Sequence, residues 1–322
     1  MSLIPGSAPH WHLVLNHLTS VGTLIAVCLL AGARYVGSRD LTRVSLLLFL
    51  VLALVGIPTF VTGAAAGWAI QGAPGISEPA VSAHQDAALL ALAALLVTGW
   101  LAWFALWRDR RRPASSSDRS GRLGDGWGPL AVLGSGTLAL LLMLWTARLG
   151  GDINHPEIRV GAPAGGDGMG LSAAIMDWVV NRTWVWPAME AVHFLGMALL
   201  FGAVLLAAVR VLGFARRVPY AALHRLLPLG VFGFVLNVIT GIVFFVVFSD
   251  RYSAITYGFY PKMALIVVGG VATVYFTIFD RPWELGAGDD APATAKAVAV
   301  ATVLIWTAVI AYGRLLPFLE GV

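Results

Sequence analysis

Seven histidines are spread over 322 residues, and three of them, His10, His12 and His17, fall within the single stretch HWHLVLNH. Imidazole ligates transition metals and haem iron, and it gives or takes a proton near neutral pH. In an apolar medium it loses its hydrogen bonds to water, at a cost of about 2 kcal/mol or more when no partner replaces them. Several imidazoles gathered in such a medium call for a shared partner.

The medium here is apolar. The chain is 58% hydrophobic and 12% charged, with a mean hydropathy of +0.81, whereas soluble domains are about 25% charged. These values predict an all-α integral membrane protein held in a lipid bilayer. Segments able to cross about 30 Å of hydrocarbon fall at 10–36, 42–70, 80–107, 127–149, 184–212, 221–248, 261–279 and 296–317. The first run has no lysine or arginine before Arg34 and ends in no small-residue cleavage site, so it reads as a retained helix. The lone cysteine, Cys28, rules out a disulfide framework and thiolate metal sites of the CxxC kind.

Eight spans divide into two four-helix bundles, 1–160 and 184–322. Between them the glycine-rich segment 161–183 reads as a periplasmic linker ending in a short interfacial helix. With the N-terminus outside, 15 of the 21 lysines and arginines fall at cytoplasmic ends and 6 at outer ends. This bias places both termini outside, in a bacterial inner (cytoplasmic) membrane. It also accounts for the net charge of +4, so no nucleic-acid partner is inferred. A weak repeat relates the two sets. His17, Thr62-Gly63 and His84 are spaced by 45 and 21 residues; His193, Thr240-Gly241 and Lys262 are spaced by 47 and 21.

Alternating spans put His10, His12, His17, His84 and His155 on one membrane face. Pro9 is a natural first helical residue with Ser7 near the cap. At 100° per residue His10 and His17 return to nearly one side of helix 1, and His12 points away from both. This predicts a histidine face of His10 and His17, opposed by His84 near the start of helix 3 and by His155 in the HPE turn after helix 4. The partner best suited to two imidazoles from facing helices is b-type haem, with His17 and His84 as the iron ligands. Gly22, Gly63, Ala64, Ala65, Ala66 and Gly67 would let a flat macrocycle approach the backbone. One haem b is expected, or two if His10 and His155 hold a second; otherwise those two are solvated or contact propionates. The absence of CxxCH excludes covalent attachment. The rival reading is an outer-face copper or zinc site built from His10, His12, a further histidine and Glu157.

In the second set, Glu190 and His193 lie three residues apart on one helical face, with Lys262 as the expected partner of Glu190. They pair with Lys262 to fix packing, or they serve a quinone, one accepting and one donating protons. His193 with Met263 or Lys262 also remains open as a second haem site. His224, beside Arg225, reads as a solvated interface residue.

HWHLVLNHLTSVG, FVTGAAAG and GGDINHPEIR resemble an uncharacterised bacterial family of four-helix membrane proteins over about the first 160 residues. The chain departs from that pattern at Thr19, where a proline is expected. WVWPAMEAVHFLG is similar to the entry of a second such family. What the resemblance implies is a tandem fusion of two small b-type-cytochrome-like bundles.

The expected function is a membrane-bound electron-transfer subunit of a respiratory chain, linking the quinone pool to a periplasmic or membrane redox partner on the outer face. Any enzymatic role would be as a subunit of a membrane oxidoreductase, since no nucleophile triad or phosphate-cradling loop is present. The alternatives are a haem-free scaffold or assembly subunit, or a copper- or zinc-binding membrane protein.

Overall fold

The computed structural model describes residues 7–74, 76–110, 126–154, 170–224, 226–254, 256–278 and 286–316. Among these residues every regular element is a helix, and eight helices are long and apolar enough to span a membrane. The elements are α1 (Ala8–Tyr35), α2 (Arg39–Ile70), α3 (Glu78–Arg110), α4 (Trp127–Asn154), α5 (Leu171–Val180), α6 (Val185–Val211), α7 (Tyr220–His224), α8 (Leu227–Val247), α9 (Ser249–Ala254), α10 (Thr256–Ile278) and α11 (Ala293–Leu315). They form two compact units, Met1–Ala174 and Ile175–Val322.

In the first unit each helix packs on the next and α1 also meets α4, so the four form a ring with α1 and α3 on a diagonal. Apolar side chains such as Leu13, Val14 and Leu18 on α1 and Leu138, Leu141 and Leu144 on α4 point outward, as lipid-facing surfaces require. Interior hydroxyls are satisfied within their own helices: Thr23 donates to Thr19 O at 2.7 Å and Thr98 to Ala94 O at 2.8 Å. Small residues set the helix spacing, with Gly99 against Ala53 and Gly136 against Phe49. Arg39 and Asp109 pair at 2.8 Å and join the start of α2 to the end of α3.

The second unit closes less evenly. α6 packs on α8 and α11, α11 packs on α10, and α8 meets α10 at only a few points. The stretch expected as one span at 221–248 divides into α7 and α8, because Pro228 has no N–H and suits the first turn of a new helix. Arg210, fully buried at the end of α6, is held by three carbonyls: Nε donates to Val218 O at 2.6 Å, Nη2 to Gly286 O at 2.7 Å and Nη1 to Asp289 O at 3.2 Å. It thereby staples both connecting segments to the bundle. Tyr220 is buried beside it, and that burial pushes its phenol well up, partly countered by the Arg210 charge.

α6 and α8 touch backbone to backbone. A Cβ on Gly233 would lie 2.6 Å from Gly196 O and 2.8 Å from Leu200 N, and no side-chain rotation can relieve either contact. Gly233→Ala is expected to separate the two helices and cost about 1–3 kcal/mol, read as a lowered midpoint of thermal unfolding in detergent. Gly241→Ala, whose added carbon meets nothing within 4 Å, should leave that midpoint unchanged.

Candidate functional site

Two histidines enter the interior of the first bundle, and they come from the diagonal helices. His12, four residues into α1, donates from Nδ1 to Thr59 O of α2 at 3.0 Å. His84, six residues into α3, donates from Nδ1 to Thr146 O of α4 at 2.9 Å. Each accepting carbonyl lies four residues before a glycine against which the ring packs. A Cβ on Gly63 would stand 2.7 Å from His12 Cε1, and one on Gly150 would stand 3.1 Å from His84 Cε1. A helical carbonyl already accepts the amide of residue i+4. Its second lone pair is open to a neighbouring helix where the residue at i+4 has no side chain, and Gly63 and Gly150 provide that opening.

With Nδ1 committed as donor, the neutral imidazole keeps a bare lone pair on Nε2. Both rings line one cleft with Asn16, Thr19, Gly63 and Gln85, closed on the deeper side by Leu92, Leu95 and Met143. Counting the solvent at its open side, the cleft spans about 630 Å³. The two imidazoles are near enough to feel each other's charge.

The structure does not bring His17 to His84. His10 and His17 do share a face of α1, but it is the exposed one. His17 Nδ1 turns back to Leu13 O of its own helix at 2.6 Å, and His10 Nδ1 hydrogen-bonds with Ser7 Oγ at 3.0 Å. His12, pointing away from both, takes the inward place because the polar residues of α1, His12, Asn16, Thr19 and Thr23, recur at helical spacing on one side. Thr19, where a proline was expected, is buried in that stripe and donates to Leu15 O at 3.0 Å. His155 and Glu157 lie outside the described residues. Among the described residues no group of three His, Cys, Asp or Glu could hold a metal ion.

In the second bundle His193 on α6 faces inward and Glu190 is exposed. His193 Nδ1 lies 2.7 Å from Thr240 Oγ1, whose own proton goes to Leu236 O at 2.7 Å, so Nδ1 is the donor. The ring lies against Phe244, 5.4 Å between centroids. Lys262 on α10 has Nζ tucked against Gly313 of α11, within electrostatic reach of His193. Glu190 makes no ion pair with it, since the carboxylate turns out of the bundle and the ammonium turns in.

One residue at the first site carried no sequence signal. Asp86, two positions after His84, caps α5 from a distance: Oδ2 accepts Leu171 N at 2.8 Å, and Oδ1 accepts Ser172 N at 2.9 Å and Ser172 Oγ at 2.5 Å. Gly170 is required there, because a Cβ would fall 2.4 Å from Asp86 Oδ2. A carboxylate 85 residues away leaves no local pattern. No protein-family model, curated protein or solved structure matches the chain, so function has to be read from these geometries.

Removing a cap costs about 1 kcal/mol. Asp86→Ala is therefore expected to speed hydrogen exchange of the Leu171 and Ser172 amides about fivefold to tenfold, with interior amides of α3 unchanged, in hydrogen–deuterium exchange followed by mass spectrometry.

Proposed function

We propose that the first bundle is a b-type haem site whose iron is ligated by His12 and His84, in a chain that serves as a membrane electron-transfer subunit. The observation that carries this reading is the pair of diagonal imidazoles lining one cleft, each with Nδ1 held by a carbonyl of the neighbouring helix. His12 and His84 would hold a haem through their Nε2 atoms, since both are neutral imidazoles in one tautomer. A copper or zinc ion bound by protein alone needs three or four ligands.

The residues present fit the group. Small side chains at Ala64, Ala88 and Ala91 line the cleft and would allow a flat macrocycle near the backbone, with Phe60 and Gln85 turned aside. Bound haem would supply a one-electron couple. The protein would contribute the rest. The Thr59 and Thr146 carbonyls orient the two rings and raise their basicity. Leu92, Leu95 and Met143 keep water from the deeper side of the cleft. His17, on the exposed face of α1, is not part of this ligand set.

Charge bias and the alternation of spans support an inner-membrane location with the site toward the periplasmic face. There it would pass electrons between the quinone pool and a periplasmic or membrane redox partner.

The test is the dithionite-reduced absorption spectrum of the full chain purified from a haem-sufficient host. A sharp b-type α-band is expected, lost or converted to a five-coordinate form in His12→Ala and in His84→Ala and retained in His17→Ala. Absence of the band, or its loss in His17→Ala alone, would overturn the proposal.

A further inference from the structure

The second bundle contains polar groups that the haem reading leaves unused. Lys262 lies in a membrane-spanning helix, and its ammonium has no hydrogen-bond or ion-pair partner among the described residues. An ionisable group at such a place marks a functional site until a partner is found, and Glu190, the obvious candidate, points out of the bundle. Within electrostatic reach of Lys262 lies a second base, on α6. His193 has its Nδ1 proton committed to Thr240, so its neutral ring offers a bare Nε2 acceptor. One turn along α8, Asn237 Oδ1 is buried without a hydrogen-bond partner, its side chain against Gly196 of α6. The second bundle thus carries a donor on α10 and vacant acceptors on α6 and α8, and among the described residues no acid pairs with the donor.

The ligand that completes this set has an oxygen that both accepts and donates. A carboxylate or phosphate would answer Lys262 but has no proton for His193 Nε2; a hydroxyl answers both. The walls favour an aromatic hydroxyl. His193 lies tilted against Phe244, which lies 4.7 Å from Trp186, and Trp186 meets Phe248 edge-on at 5.2 Å, giving a run of aromatic rings beside His193. The loose seam between α8 and α10 gives a lipid-borne molecule a way in from the bilayer.

We propose that the second bundle binds the head group of a hydroquinone-type lipid, one hydroxyl donating to His193 Nε2 and accepting from Lys262 Nζ. This deepens the electron-transfer reading above and rests on it for its physiological sense. The binding chemistry stands on the second bundle alone.

The test is binding of decyl-ubiquinol to the full chain in lipid nanodiscs under anaerobic conditions, read as quenching of tryptophan fluorescence above the linear quenching caused by partition into lipid. Saturable binding is expected, weakened at least tenfold in Lys262→Met and in His193→Phe with unchanged unfolding midpoints. Glu190→Gln should bind as the unaltered protein does. Absence of a saturable component, equal binding in the two interior variants, loss in Glu190→Gln, or displacement by equimolar oleate would each overturn the proposal. Should either interior variant fail to fold, an azido-quinone photolabel on the unaltered chain decides: labelling within α6, α8 or α10 supports the site, and labelling confined elsewhere overturns it. The reduced haem band is recorded on the same samples. The band without saturable quinol binding sinks this inference alone, and binding without the band sinks the haem reading alone.

Discussion

An imidazole N–H between apolar helices must find an acceptor, and the helices have few to offer. Their carbonyls are already engaged, and side chains shield the second lone pair. The first bundle solves this with glycine. At Thr59 and at Thr146 the residue four positions on is Gly63 or Gly150, and the histidine ring lies in the space the missing side chain leaves. That one device fixes the tautomer of both rings, their approach to α2 and α4, and the freedom of Nε2 toward the cleft. It also ties α1 to α2 and α3 to α4 at the end of the bundle where interior packing is thinnest. Further in, Ala26, Leu30, Leu46, Phe49, Leu95 and Ala139 are packed tightly enough that the helices need no polar contact.

Composition alone made the architecture legible, because a span must be long, apolar and uninterrupted, and all eight helices meet that requirement. The site was only half legible. His84 lies where its position on helix 3 implied, whereas the partner from helix 1 is His12, not His17. The divergence of His12 from His10 and His17 was read correctly, but which side faces inward was not. Leu13, Val14, Leu18 and Val21 surround His10 and His17 and are more than half exposed, while Asn16, Thr19 and Thr23 continue the line of His12. In a bilayer the polar stripe turns inward, the reverse of a soluble helix, so the face was there to be read. Asp86 and Arg210 were not, since both act through backbone groups remote in sequence or in loops without a pattern.

The geometry also revises how the two halves correspond. His12 and Thr59 are 47 residues apart and hydrogen-bonded, and so are His193 and Thr240. This matches His193 to His12 where spacing alone had matched it to His17. In the same register Gly63 is replaced by Phe244. A phenyl ring four residues after Thr240 blocks the approach to its carbonyl, and the histidine takes the threonine hydroxyl instead. On the diagonal helices His84 leans on Gly150 and Lys262 leans on Gly313, so an imidazole has become an ammonium at the equivalent place. An ammonium makes a poor axial ligand and Phe244 fills the room a macrocycle would need. The two bundles thus carry different polar groups at similarly spaced positions.

Depth gives that polar end its use. His12 lies four residues into α1 and His84 six into α3, about 6 and 9 Å from the helix ends at 1.5 Å per residue. A group held between them would be only about two helical turns from the nearer membrane face. Asp86 fastens the first turn of α5 at that same rim, two residues from His84. The capping carboxylate binds the helix by hydrogen bonds to exposed backbone amides, which water can replace at modest cost, and not by apolar packing alone. The cap on α5 can thus yield without disturbing the glycine contacts that hold the His12 and His84 rings.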